Sequence, residues 1–220
     1  MTDLGARERI ALLERHGRQF AAGASVYAEG DDAPVVYWLH EGRVRLVKRV
    51  RTAERNLSVV RPGDLFGEEA LLPGGIRGAH AIALTDVVVV GIDRGSLAAL
   101  VAGRPDLAEW LIGELARRVR EAEEQLENAM LRDQPSRVVN ALLRLAQAAE
   151  GTQDGVKLAV TPLELSSRAG LDVDSVKRAV QQLRDGGYLQ IVEETVRIPD
   201  LDALRKLYLA LGAKEEVRGA

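Results

Sequence analysis

From Glu114 to Gln134 the chain runs for 21 residues without a glycine or a proline. Pro105-Asp106 upstream reads as a helix start, so the pattern predicts one helix over Asp106–Asp133. Its 28 residues span roughly 42 Å, more than a small domain is wide. Leu111, Leu115, Val119, Ala122, Leu126 and Ala129 recur at intervals of 4, 4, 3, 4 and 3, the spacing of a seam between paired helices. Glu114/Arg118, Arg117/Glu121 and Arg120/Glu124 add opposite charges four residues apart. A helix that outreaches its domain and keeps such a stripe predicts a homodimer; the plainer reading packs it on its own domain. Pro135 reads as the break, with a hinge near Asp133–Pro135 and a new helix over Ser136–Glu150.

The chain before this helix has a different texture. Residues 4–16 read as a short helix carrying Leu4, Ile10, Leu12 and Leu13. From Phe20 to about Ile92, short strands alternate with glycine turns. Val35–His40 and Arg43–Val50 flank Glu41-Gly42, a hairpin signal, and Arg61-Pro62-Gly63-Asp64 is a strong turn. Many short strands at regular spacing favour a sandwich or jelly roll. Hydrophobic residues are 46% and charged residues 29%, as in a folded chain rather than a disordered one. With no cysteine, disulfides and thiolate-held metal or iron–sulfur centres are excluded, and a reducing compartment fits. No signal-peptide core is present, and the longest apolar run, Val87–Val90, is too short to cross a bilayer. The expectation is a cytoplasmic protein without a membrane partner.

Thr161-Pro162-Leu163-Glu164 joins three helix-start signals: a capping hydroxyl, a first-turn proline and the glutamate of a capping box. Ala169-Gly170-Leu171-Asp172 is a tight turn, and Asp172 caps a second helix that ends at Gly186-Gly187. Val176, Ala179, Val180 and Leu183 line its inner face; Asp174, Lys177, Arg178 and Gln181 share the opposite one. Arg reads guanine bidentately and Gln reads adenine, so this face suits a major groove. Tyr188–Val192 and Thr195–Ile198 around Glu193-Glu194 read as a wing hairpin. The pattern predicts a winged helix-turn-helix on double-stranded DNA, with Thr161, Val173, Asp174, Ser175, Lys177, Arg178 and Gln181 as candidate contacts. Net charge is −3 overall, and Arg132–Arg197 holds nine basic and nine acidic residues, so charge alone does not suggest DNA.

In the barrel, Phe66-Gly67-Glu68-Glu69-Ala70-Leu71-Leu72 precedes a Pro73-Gly74-Gly75-Ile76 loop and Arg77-Gly78-Ala79. Backbone amides and one arginine make an anion site, and a nearby carboxylate accepts sugar hydroxyls. With Phe20-x-x-Gly23-x-x-Val26-x-x-x-Gly30-Asp31, Glu41-Gly42 and Pro62-Gly63-Asp64, these stretches make the chain resemble the CRP/FNR family of regulators from about Phe20 to Leu204. The resemblance implies an α+β chain: an N-terminal β jelly-roll of the cyclic-nucleotide-binding kind (1–105), a dimerisation helix and hinge (106–134) and a C-terminal winged helix-turn-helix (135–220). It implies a homodimer on a palindromic site, DNA bending, and RNA polymerase as a partner. It gives Glu68 a ribose hydroxyl and Arg77 a phosphate, within an effector set of Gly67, Glu68, Glu69, Arg77, Gly78, Ala79, Ala122 and Glu123. The cassette departs from the cyclic-AMP pattern: Gly78 stands where a hydroxyl residue is usual, Ala122-Glu123 where Thr-Ser faces the adenine, and the loop is one residue shorter. Val173 and Asp174 replace the family's Arg-Glu, while Arg178 keeps its place, so the half-site should differ from the usual one.

The effector is therefore left open between a cyclic nucleotide, another small anion and none, and the plainer role for Glu68 and Arg77 is an internal ion pair. His16, His40 and His80 are scattered and form no metal motif; no catalytic motif of a hydrolase, metalloprotease or nucleotide hydrolase occurs. The rival reading is a cyclic-nucleotide-binding module acting on a protein partner, for which the helix-turn-helix would have no use.

Overall fold

The computed structural model describes residues 6–51, 53–149, 151–152, 155–192 and 195–218. They form two compact units, Met1–Arg120 and Glu121–Ala220.

The first unit holds α1 (Ala6–His16), β1 (Gly17–Phe20), β2 (Ser25–Tyr27), β3 (Val35–Glu41), β4 (Val44–Val50), β5 (Ala53–Val60) and β6 (Leu65–Phe66). A 3₁₀ turn (Glu68–Leu71), β7 (His80–Ala83), β8 (Val87–Asp93), α2 (Arg94–Ala102) and the start of α3 (Pro105–Met130) follow. Two four-stranded sheets, β1-β8-β3-β6 and β2-β7-β4-β5, make the sandwich. Tyr27, Tyr37, Leu39, Val44, Leu46, Phe66 and Val89 fill the space inside it. On the other side of the first sheet, Val36, Trp38, Val90 and Ile92 meet Leu97 of α2, Leu107 of α3 and the half-buried Trp110. That second layer explains the unbroken apolar run in β8: a strand covered on both faces has no reason to alternate. Each large side chain buried here contributes about 1.5–3 kcal/mol. Gly42 turns the β3–β4 hairpin at φ +85°, where a Cβ would stand 2.3 Å from the Asp86 carbonyl oxygen.

The second unit holds the rest of α3, α4 (Gln134–Ala148), β9 (Gly151–Thr152), β10 (Gly155–Leu158), α5 (Pro162–Ala169), α6 (Val173–Asp185), β11 (Gln190–Val192), β12 (Thr195–Ile198) and α7 (Leu201–Arg218). Val138, Val139 and Leu142 of α4 pack with Leu165, Val176, Leu189, Ile198 and Leu204. The small sheet has the order β11-β12-β10-β9. The expected wing is β11–β12, joined at Val192↔Thr195; its Glu193-Glu194 turn, like Leu4 of the first helix, lies outside the described residues.

Three expectations need correction. The long helix ends at Met130 rather than Asp133, and Pro135 is not the breaker but part of the first turn of α4. The break is made by caps. Asp133 accepts hydrogen bonds from the Ser136 N–H at 2.7 Å and its hydroxyl at 2.5 Å. Arg137 donates to the Leu131 and Ala129 carbonyls at 2.8 and 3.0 Å, satisfying the end of α3. Gly151–Thr152 forms β9 and Gly155 opens β10; neither these strands nor α7 was expected from the sequence. Nor do Glu114 and Arg118 pair with each other: Glu114 takes Arg117 at 2.5 Å, and Arg118 reaches Glu68. Among the described residues no helix is long and apolar enough to cross a membrane.

Candidate functional site

The cassette is organised around a buried arginine. Arg77, 2% exposed, is fixed by its backbone, which donates to the Asp31 carbonyl at 2.9 Å and accepts from Gly30 N–H at 2.9 Å. Its Nη1 donates to the Gly67 carbonyl at 2.8 Å and its Nη2 to the Val35 carbonyl at 2.5 Å. The guanidinium carbon lies 4.2 Å from the centre of the Tyr27 ring and 5.4 Å from that of Tyr37, a stacked cation–π arrangement. Tyr27, Tyr37 and Phe66 stack with one another at centroid distances of 5.3–6.1 Å. Burial, reinforced by the Glu69 charge, pushes the Tyr27 hydroxyl well above the usual phenol range, so the ring stays neutral.

The two glutamates of the cassette take different partners. Glu69 Oε1 accepts the Gly78 N–H at 3.0 Å, and its Oε2 lies 3.5 Å from Arg77 Nη1, an ion contact without hydrogen-bond geometry. Glu68 lies 3.1 Å from Arg118 Nη2, while Arg118 Nη1 donates to the Leu65 carbonyl at 2.7 Å. So Arg77 has an internal partner, but it is Glu69 rather than Glu68. Lys48 closes the rim, donating to the Gly78 carbonyl at 2.8 Å and pairing with Glu29 at 3.1 Å. Ala79 is buried and Gly78 exposed. The His80 Nδ1 accepts the Glu29 N–H at 3.3 Å; among the described residues no group of three or more His, Asp and Glu could hold a metal ion.

In the second unit, α5 opens with the full capping box: Thr161 Oγ1 accepts the Glu164 N–H at 3.2 Å and Glu164 Oε2 accepts the Thr161 N–H at 2.8 Å. Gly170 ends α5 at φ +63°, a left-handed turn into Asp172. Asp172 accepts from the Ser175 N–H at 2.8 Å and hydroxyl at 2.7 Å, and starts α6. Val176, Ala179 and Leu183 are buried and Val180 packs against the same core, while Asp174, Lys177, Arg178 and Gln181 lie together on the outer face. Arg178 donates to the Ser175 hydroxyl at 2.9 Å and Gln181 to Asp185 at 2.7 Å. Val173 is half-buried at the start of the helix, and Thr161 and Ser175 are engaged in the caps. A two-helix unit with this turn, a polar outer face and a hairpin beside it is built to place α6 in a groove.

Residues 17–104 match the cyclic nucleotide-binding domain family, and residues 136–207 the Crp-like helix-turn-helix domain family. Over 192 residues the chain is 32% identical to the CRP-like cAMP-activated global transcriptional regulator of Mycobacterium tuberculosis, covering 85% of each chain. The chain belongs to the CRP/FNR family of transcription regulators. This CRP/FNR regulator is also 30% identical to the Cyclic AMP receptor protein of Thermus thermophilus over 203 residues, 92% of each. A crystal structure of a CRP-family transcriptional regulator, also from Thermus thermophilus, aligns at a TM-score of 0.62 and 27% identity, over 86% of this chain and 95% of that one. Regulators of this family bind DNA and are not enzymes.

Along α3 of this CRP/FNR protein, Leu111 is half-buried and packs on the first unit's own core. Val119 and Leu126 are exposed. Ile112, which sequence reasoning passed over, is 67% exposed and stands seven residues before Val119 (59%), itself seven before Leu126 (64%). The missed signal was that heptad interval. Ala122 and Glu123, the positions expected to face an effector's base, are exposed on α3 in the second unit. Asn128 was also missed, because a single asparagine in a helix carries no pattern. It is 2% exposed, donates to the Arg137 and Arg168 carbonyls at 3.2 and 2.8 Å, and accepts from Asn140 at 3.1 Å. It binds the end of α3 to α4 and α5.

Proposed function

We propose that this protein is a homodimeric, sequence-specific regulator of transcription whose α6 helices enter successive major grooves of a palindromic operator, with the barrel as an effector domain altered from the cyclic-AMP form. The observation that carries it is the outward row of Asp174, Lys177, Arg178 and Gln181 on a helix whose other face is core. Arg178 reads guanine, Gln181 contacts a base edge, Lys177 holds phosphate, and Val173 meets a thymine methyl. Thr161 and Ser175 position the helix, since both already serve as caps. The chains pair along α3 through Ile112, Leu115, Val119, Ala122, Leu126 and Ala129, setting the recognition helices about one duplex turn, roughly 34 Å, apart. The bound dimer acts on RNA polymerase in the cytoplasm. The relatives' cAMP-activated names make a cyclic nucleotide the reference effector, against which the changed cassette is read.

Binding-site selection followed by gel shift tests this. The recovered site should be a palindrome that differs from the usual family half-site at the positions facing Val173 and Asp174. Arg178→Ala should lose about 1–3 kcal/mol of specific binding and relax one base position, and Lys177→Ala should lower the salt slope by about 1. Wild-type binding by both variants would place the DNA on another face.

A further inference from the structure

In the cassette, an arginine and a backbone N–H converge as they would on an anion, and the anion they meet belongs to the chain. One oxygen of Glu69 is on the Gly78 N–H at 3.0 Å, the other 3.5 Å from Arg77 Nη1. We propose that Glu69 is a built-in occupant of the barrel's anion seat and makes the wild-type barrel refuse phosphate-bearing effectors, cyclic nucleotides included. The proposal rests on the reading of the barrel as an effector domain and names what sets its specificity.

The backbone around Glu69 is shaped to admit it. A Cβ on Gly78 would press on Glu69 Oε1 at 3.2 Å. Glycine at 78 thus leaves room for the Glu69 carboxylate. An incoming phosphate meets a fixed negative charge, and the arginine it needs is engaged with two carbonyls and the Tyr27 ring. Pushing Glu69 aside leaves two like charges beside one guanidinium at low effective dielectric. Arg77 also keeps a spare donor, because its Nε is buried with no hydrogen-bond partner among the described residues. A phosphate, with more acceptor oxygens, has a use for that donor once Glu69 is gone.

Full-length wild type, Glu69→Ala and Glu69→Gln are titrated with adenosine 3′,5′-cyclic monophosphate and with inorganic phosphate at constant ionic strength, read by calorimetry and thermal shift. Wild type should show no saturable binding of either. Glu69→Ala should bind saturably, with a Kd at least roughly tenfold below the highest ligand concentration at which wild type shows no binding, Glu69→Gln should gain less, and adding Arg77→Met should remove the gain. A gain for phosphate alone still supports the proposal, because the seat is for an anion. Saturable binding by wild type overturns it, and so does a folded Glu69→Gln that gains nothing; should Glu69→Ala not fold, those two results decide. Ligand-free wild type is tested on DNA separately. Failure there removes the regulator reading, while the titration alone decides the occupant of the seat.

Discussion

Gly67 shows how closely the cassette is built around its arginine. Its φ is +71°, and a Cβ there would stand 2.3 Å from Arg77 Nη1. Gly67→Ala therefore combines left-handed strain with a collision against a buried side chain, and should cost about 2 kcal/mol or more, read as a lower urea midpoint for the first unit. Asp172 carries a pH effect. The Ser175 hydroxyl, followed by its N–H, holds the Asp172 carboxyl below the usual carboxylate range. Because the folded value lies below the unfolded one, the cap's contribution is whole above about pH 4 and drains as the pH falls through the depressed value. Thermal melts should show Asp172→Ala costing about 1 kcal/mol at neutral pH and losing its deficit relative to wild type in acid. At this scale the residue types were legible and the pairings were not. The cassette's Glu68, Glu69 and Arg77 were named from the sequence, but Arg77 is fixed by the Val35 carbonyl and the Tyr27 ring, far away in the chain, and Glu68 is claimed by Arg118 from α3. Such choices follow from sheet packing that no local spacing encodes.

Elements whose ends are written locally were the readable ones. The pair α5–α6 follows from Thr161, Glu164, Gly170 and Asp172, each acting within a few residues of itself. One device recurs: Asp93/Ser96, Asp133/Ser136 and Asp172/Ser175 each set a serine N–H and hydroxyl on an aspartate that starts a helix. At Asp133 this device, rather than the neighbouring proline, decides where α4 begins. Strands β9 and β10 escaped notice because two to four residues around glycines have no period, and β10 exists through its pairing with β12. Asn128 belongs to this scale too, as the bolt between α3, α4 and α5. Asn128→Leu leaves the Arg168 carbonyl and the Asn140 amide without their partner, and should destabilise the second unit by about 2 kcal/mol in denaturant unfolding and weaken DNA binding.

For the molecule as a whole, the proposed assembly rests on the exposed heptad of α3. Ile112, Val119 and Leu126 are costly to leave in water, and Leu126→Glu should convert a dimer to a monomer in sedimentation equilibrium and abolish operator binding at concentrations where wild type saturates it. A folded Leu126→Glu that remains dimeric would move the interface elsewhere. Both tryptophans, Trp38 and Trp110, stand in the first unit, whereas Tyr188 and Tyr208 lie against the core of the second. Indole emission is therefore a private report on the sandwich. Followed against far-ultraviolet circular dichroism, to which the helices of the second unit contribute, it should give non-coincident melting curves, the mark of a chain that comes apart in two steps.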